Sequence, residues 1–89
     1  MNDYMIMVCK EAVDKWGVDV QNQVLTEELA ELIVEISHLV RGRGSLDKVA
    51  EEIADVEIML QQIKYSYKLQ NAVYDWHYKK LKRLEGKLK

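Results

Sequence analysis

Glu28 and Glu31 stand three residues apart, and Glu52 and Asp55 repeat that spacing 24 residues further on. Each pair sits in the same short phrase. Glu27-Glu28-Leu29-Ala30-Glu31-Leu32 returns as Glu51-Glu52-Ile53-Ala54-Asp55-Val56, and the apolar phase holds through Val34/Ile58, Ile36/Leu60 and Leu39/Ile63. Two such pairs on neighbouring helices would gather four carboxylates around one point. Repulsion on that scale calls for a divalent cation. An all-oxygen donor set suits hard Mg²⁺ or Mn²⁺ and not Zn²⁺, which prefers Cys and His.

The elements that must position these groups are helices. Asp3 is the expected N-cap of a first helix carrying Met5, Val8, Ala12 and Trp16, which Gly17 ends. Asp19 is placed to cap a second helix, running to about Arg41 with Leu25, Leu29, Leu32, Ile36 and Leu39 inward. Arg41-Gly42-Arg43-Gly44 reads as a loop. Ser45 caps a third helix, with Val49, Ile53, Val56, Leu60 and Ile63 inward, at intervals of four, three, four and three residues. Asn71 is expected to open a fourth helix through Val73, Trp76, Leu81 and Leu84, after a break near Leu69 that no glycine marks. Nothing reads as strand. The expectation is one all-α domain over residues 1–89, folded as an antiparallel four-helix bundle. Ala30/Val34 and Ala54/Ile58 make the second and third helices apolar on a further side. Such a hairpin needs two partners, one of them a second copy of the chain, so a dimer is expected and a dimer of dimers is compatible.

With each residue turning about 100°, Glu28, Glu31 and Glu35 form a stripe flanking the Leu25/Leu29/Leu32/Ile36 face, and Glu52 and Asp55 flank Val49/Ile53/Val56/Leu60 at the same offset. Two helices sharing a core turn such stripes either toward each other or both away. Their heights agree as well. Glu31 precedes Arg43 by twelve residues and Asp55 follows it by twelve, so each stands about 18 Å from a turn centred there.

Composition narrows the class. The 89 residues are 48% hydrophobic and 31% charged, the balance of a globular protein and not of a disordered one. No apolar run spans a membrane, and Met1-Asn2-Asp3-Tyr4 lacks a signal peptide's basic start, so the expected compartment is the cytoplasm. A net charge of -2 argues against nucleic acid as the partner. Acid gathers between residues 27 and 57, whereas Lys79, Lys80, Lys82, Arg83, Lys87 and Lys89 make the tail basic. Cys9 is the only cysteine and reads as a small core residue.

These motifs resemble the MazG-like all-α nucleotide pyrophosphohydrolases, whose signature is EExxE, a spacer, then ExxD on the next helix. Glu27-Glu28-Leu29-Ala30-Glu31 and Glu52-Ile53-Ala54-Asp55 match it across a 20-residue spacer. Residues 51–60 and the ending Lys80-Leu81-Lys82-Arg83-Leu84 are similar to small members from Gram-positive bacteria and their phages. The resemblance implies hydrolysis of a nucleoside triphosphate to monophosphate and pyrophosphate. It makes Glu28, Glu31, Glu52 and Asp55 the Mg²⁺ ligands, with Glu27, Glu51 or Glu35 as the acceptor of the water's proton.

A triphosphate also needs cations. Lys79, Lys80, Lys82 and Arg83 are candidates, because a fourth helix antiparallel to the third can return toward its acidic level. Trp16, near the start of the helix that bears Glu28, is the candidate base-stacking residue. Arg41 and Arg43 belong to the loop, and Glu35-x-x-His38 lacks the second copy that a di-iron site requires. Two alternatives stay open: a non-catalytic helical adaptor, and a relative that binds nucleotides without turning them over.

Overall fold

The computed structural model describes residues 2–89, and every regular element among them is a helix. They are α1 (Asp3–Trp16), α2 (Val18–Val40), α3 (Leu46–Ser66) and α4 (Gln70–Lys87). No helix is long and apolar enough to cross a membrane among the described residues.

The starts and stops follow from local chemistry. Asn2, and not the expected Asp3, caps α1: its side chain accepts the Met5 amide at 2.9 Å, and Asp3 lies in the first turn. Gly17 alone joins α1 to α2 at φ +87°, a conformation that other residues resist. It serves as the N-cap of α2, so Asp19 is a first-turn acid and not a cap. Ser45 caps α3 as expected, its hydroxyl accepting the Lys48 amide at 3.1 Å. α2 ends in a Schellman turn, with Gly42 at φ +74° and the Arg43 amide donating to the His38 carbonyl at 2.9 Å. α3 ends in the same motif, but Lys68 occupies the left-handed position at φ +55° while the Leu69 amide donates to the Lys64 carbonyl at 2.8 Å. The fourth helix therefore opens at Gln70, not Asn71, and no side chain caps it.

α2 and α3 form an antiparallel hairpin, with α1 laid across both and running parallel to α3. The Cys9 thiol points at the Ile58 carbonyl (3.7 Å), and the Tyr65 hydroxyl donates to Asp14 at 3.1 Å. One of the two partners expected for the hairpin is thus α1. α4 touches only α3 and buries no side chain. Four helices are present, but in the single chain the fourth does not close the expected bundle.

The rotation of the hairpin differs from expectation. Leu29, Ile36, Ile53 and Leu60, assigned inward, are each about two-fifths exposed or more. The seam instead runs through Gln21, Glu28 and Leu32 on α2 and Glu52, Val56 and Met59 on α3. Among the described residues only Cys9, Val13, Val56 and Met59 are buried apolar side chains, while twenty-three large ones are exposed. The radius of gyration, 15.4 Å, exceeds the roughly 12 Å of a compact domain of this length.

Candidate functional site

The hairpin register sets the site. The Gln21 side-chain amide donates to the Gln62 carbonyl oxygen at 2.6 Å, both residues being buried. Two helical turns along, Glu28 faces Asp55 and Glu31 faces Glu52. The pairing is crossed, the first acid of one motif lying opposite the last of the other. Sequence spacing alone had set Glu31 level with Asp55. Because the two motifs repeat the same three-residue spacing on antiparallel helices, a crossed match brings all four carboxylates to one place.

Carboxylate oxygens of Glu28, Glu31 and Glu52 lie within 4.8 Å of one another, as do those of Glu51, Glu52 and Asp55. Glu52 belongs to both groups and retains only 9% of its surface. One oxygen of Glu28 and one of Glu52 are buried with no hydrogen-bond partner. That is a costly arrangement unless something binds there, since an unpaired buried polar atom forfeits its hydration. Burial comes first among the causes that push Glu28 up to about 7, followed by the negative charges of Glu31, Asp55 and Glu52. Burial also raises Glu52, reinforced by Glu31, Asp55 and Glu51.

An open groove of about 400 Å³ runs beside the cluster, lined by Ala30, Glu31, Val34, Glu35 and Glu52. Ala30 and Val34 looked like a further docking face in the sequence. Here they wall the approach to the acids, a role that their helical offset from Glu31 carries but hydropathy conceals. Glu35 shares the groove, 3.9 Å from the His38 ring. Glu51 joins the cluster directly, whereas Glu27 is exposed and in neither group. The donors fit a hard cation: all are carboxylate oxygens, and two stand unsatisfied.

The nucleotide-binding candidates do not meet the cluster in the single chain. Lys79 and Lys80 lie over the Trp76 ring of their own helix at 4.9 and 5.8 Å, and Lys82 pairs with Glu85 at 3.7 Å. Among the described residues no ion pair links Lys79, Lys80 or Arg83 to the hairpin, because α4 does not fold back along α3. Trp16 ends α1 beside the Tyr65 end of α3, about ten residues or ~15 Å along the helices from Asp55.

No family model, curated protein or solved structure matches this chain.

Proposed function

We propose that this protein is a Mg²⁺-dependent nucleoside triphosphate pyrophosphohydrolase. It would cleave the α–β phosphoanhydride bond to give monophosphate and pyrophosphate, and work in the cytoplasm as a homodimer or dimer of dimers. The observation that carries this is the pair of buried, unpartnered oxygens of Glu28 and Glu52 at the centre of four converging carboxylates. The likeness of Glu27–Glu31 and Glu52–Asp55 to the MazG-like signature supplies the reaction class.

Glu28, Glu31, Glu52 and Asp55 would hold the cation, which when bound supplies positive charge against the phosphates. Glu51, inside the cluster, and Glu35, along the groove, are the carboxylates nearest to accept a proton from the attacking water, while Glu27 lies in neither acidic group. Water is the nucleophile this chain suits, as among the described residues no Ser or Cys side chain is hydrogen-bonded to a histidine that could activate it.

A panel of ribo- and deoxyribonucleoside triphosphates with Mg²⁺, followed for pyrophosphate and orthophosphate, tests the proposal. Pyrophosphate with the matching monophosphate is expected. Orthophosphate would mean cleavage at the terminal phosphate and would sink this reading, whereas no turnover across the panel would favour a non-catalytic helical adaptor, the alternative that the bare apolar surface supports.

A further inference from the structure

Ten acidic side chains lie between residues 18 and 66, yet among the described residues only one of them is ion-paired. That one is Glu35, whose Oε2 lies 3.9 Å from Nδ1 of His38, three residues further along α2. The pair falls at the groove. Glu35 follows Glu31 by four residues, about one helical turn or ~6 Å, and both line the opening beside the acids.

The root of His38 is held from two sides. Its carbonyl accepts the Arg43 amide at 2.9 Å in the turn that ends α2. Gly44 presses on it from the loop, where a Cβ would come within 3.3 Å of the His38 Cβ and 3.0 Å of the Leu39 amide nitrogen. The loop thus closes on His38 with no room for a side chain of its own. The two carboxylates considered as proton acceptors also differ. Glu51 shares its group with Glu52 and Asp55, all within 4.8 Å, so its lone pairs are those a cation needs. Glu35 belongs to neither group, and its side chain, 22% exposed, can return a proton to solvent.

We propose that Glu35 accepts the proton of the attacking water and that His38 is its positioning residue, the Nδ1–H holding Oε2 so that the other oxygen turns to the groove. In this step one O–H bond of the water breaks and its proton goes to Glu35. The water oxygen bonds to phosphorus, and the α–β bridging bond breaks with its electron pair leaving on the departing phosphate group. Such contacts are often long in a free enzyme and tighten in the complex. The inference rests on the hydrolase reading and assigns two roles within it.

Steady-state pyrophosphate release by the full chain, with Mg²⁺ and the triphosphate of the panel cleaved fastest, tests it beside thermal melts with Mg²⁺ alone. Glu35→Gln should lower kcat about a hundredfold or more at constant KM, and keep the wild type's Mg²⁺-induced rise in Tm. His38→Leu should lower kcat about tenfold, again at constant KM. His38→Asn should recover most of that loss, because its amide nitrogen stands where Nδ1 stands. A charge serving only the end of α2 would be lost equally in both variants. A wild type that releases no pyrophosphate from any triphosphate would overturn the hydrolase reading, and this assignment with it. The assignment alone is overturned if the wild type turns over while Glu35→Gln or His38→Leu keeps its kcat, if His38→Asn is as slow as His38→Leu, or if Glu35→Gln loses the Mg²⁺ response.

Discussion

The hairpin seam and the fourth helix are incomplete in opposite ways. The seam buries charge where a core would ordinarily lie, with Glu52 at 9% exposure and two carboxylate oxygens unpartnered. α4 leaves leucines, tyrosines and a tryptophan in water and buries nothing. Each is unfavourable alone, and on the reading proposed above the counterparts would be a hard cation in one case and an apolar protein surface in the other. A single short chain thus divides its unmet interactions between a buried acidic cluster and an exposed apolar helix.

The sharpest way to break this contrast is at the seam. Glu31→Gln and Asp55→Asn should each lower pyrophosphate release about a hundredfold or more, while Tyr4→Glu, on the exposed end of α1, should leave it unchanged. Equal turnover in the carboxylate variants would remove the seam from the chemistry.

Next in size is the response to metal. Mg²⁺ or Mn²⁺ at a hundredfold over its Kd should stabilise the fold by about 2.7 kcal/mol, seen as a Tm rise of roughly 10 °C or more. Glu52→Gln should abolish that rise and leave metal-free stability equal or higher, because it removes repulsion as well as a ligand. The sign of the pH dependence follows from Glu28. Its carboxyl titrates near 7 when folded against an ordinary 4.5, so between those values the native state holds the extra proton. Metal-free stability should therefore be greatest below about pH 4.5, fall through pH 7 and then level off. Saturating Mg²⁺ should reverse the trend, since it requires the ionised form. Thermal melts at pH 5 and pH 8, with and without metal, check both signs.

Smaller effects sharpen the comparison. Val56→Ala, in the seam, should cost about 1–2 kcal/mol in chemical denaturation. Leu84→Ala, measured below the association concentration, should stay within about 0.5 kcal/mol. At the elbow, Lys68→Gly should add about 0.5–1 kcal/mol by relieving a left-handed lysine. If Leu84→Ala cost as much as Val56→Ala, α4 would be packed within its own chain after all.

Helix number, the Ser45 cap, the Arg41–Gly44 loop and the acidic pairs were legible because caps, glycine and 3.6-residue spacing act locally. What escaped was set elsewhere. Apolar periodicity located the Leu29/Ile36 and Ile53/Leu60 stripes but could not say which neighbour claims them, and the hairpin turned them outward. The Gln21–Gln62 pair at the heart of the seam was hidden because amides read as surface. The α3 stop lacked its usual signal, since Lys68 does the work of glycine. Lys79, Lys80 and Arg83 were placed near the acids by assuming that α4 folds back, which depends on packing energy that the single chain does not supply.

The buried Gln21–Gln62 bridge has a consequence for which ion the cluster would prefer. Four facing acids tend to splay apart, yet one end of the hairpin is pinned by this 2.6 Å amide contact and the other by the tight turn through Gly42. Held between two anchors, the carboxylates would be preorganised, with most of the entropy of gathering ligands already lost on folding. A cage that cannot relax outward discriminates by ionic radius. It should favour Mg²⁺, with its oxygens at about 2.1 Å, over Ca²⁺, which takes more ligands at about 2.4 Å, and loosening the amide bridge should erode that selectivity before it erodes affinity.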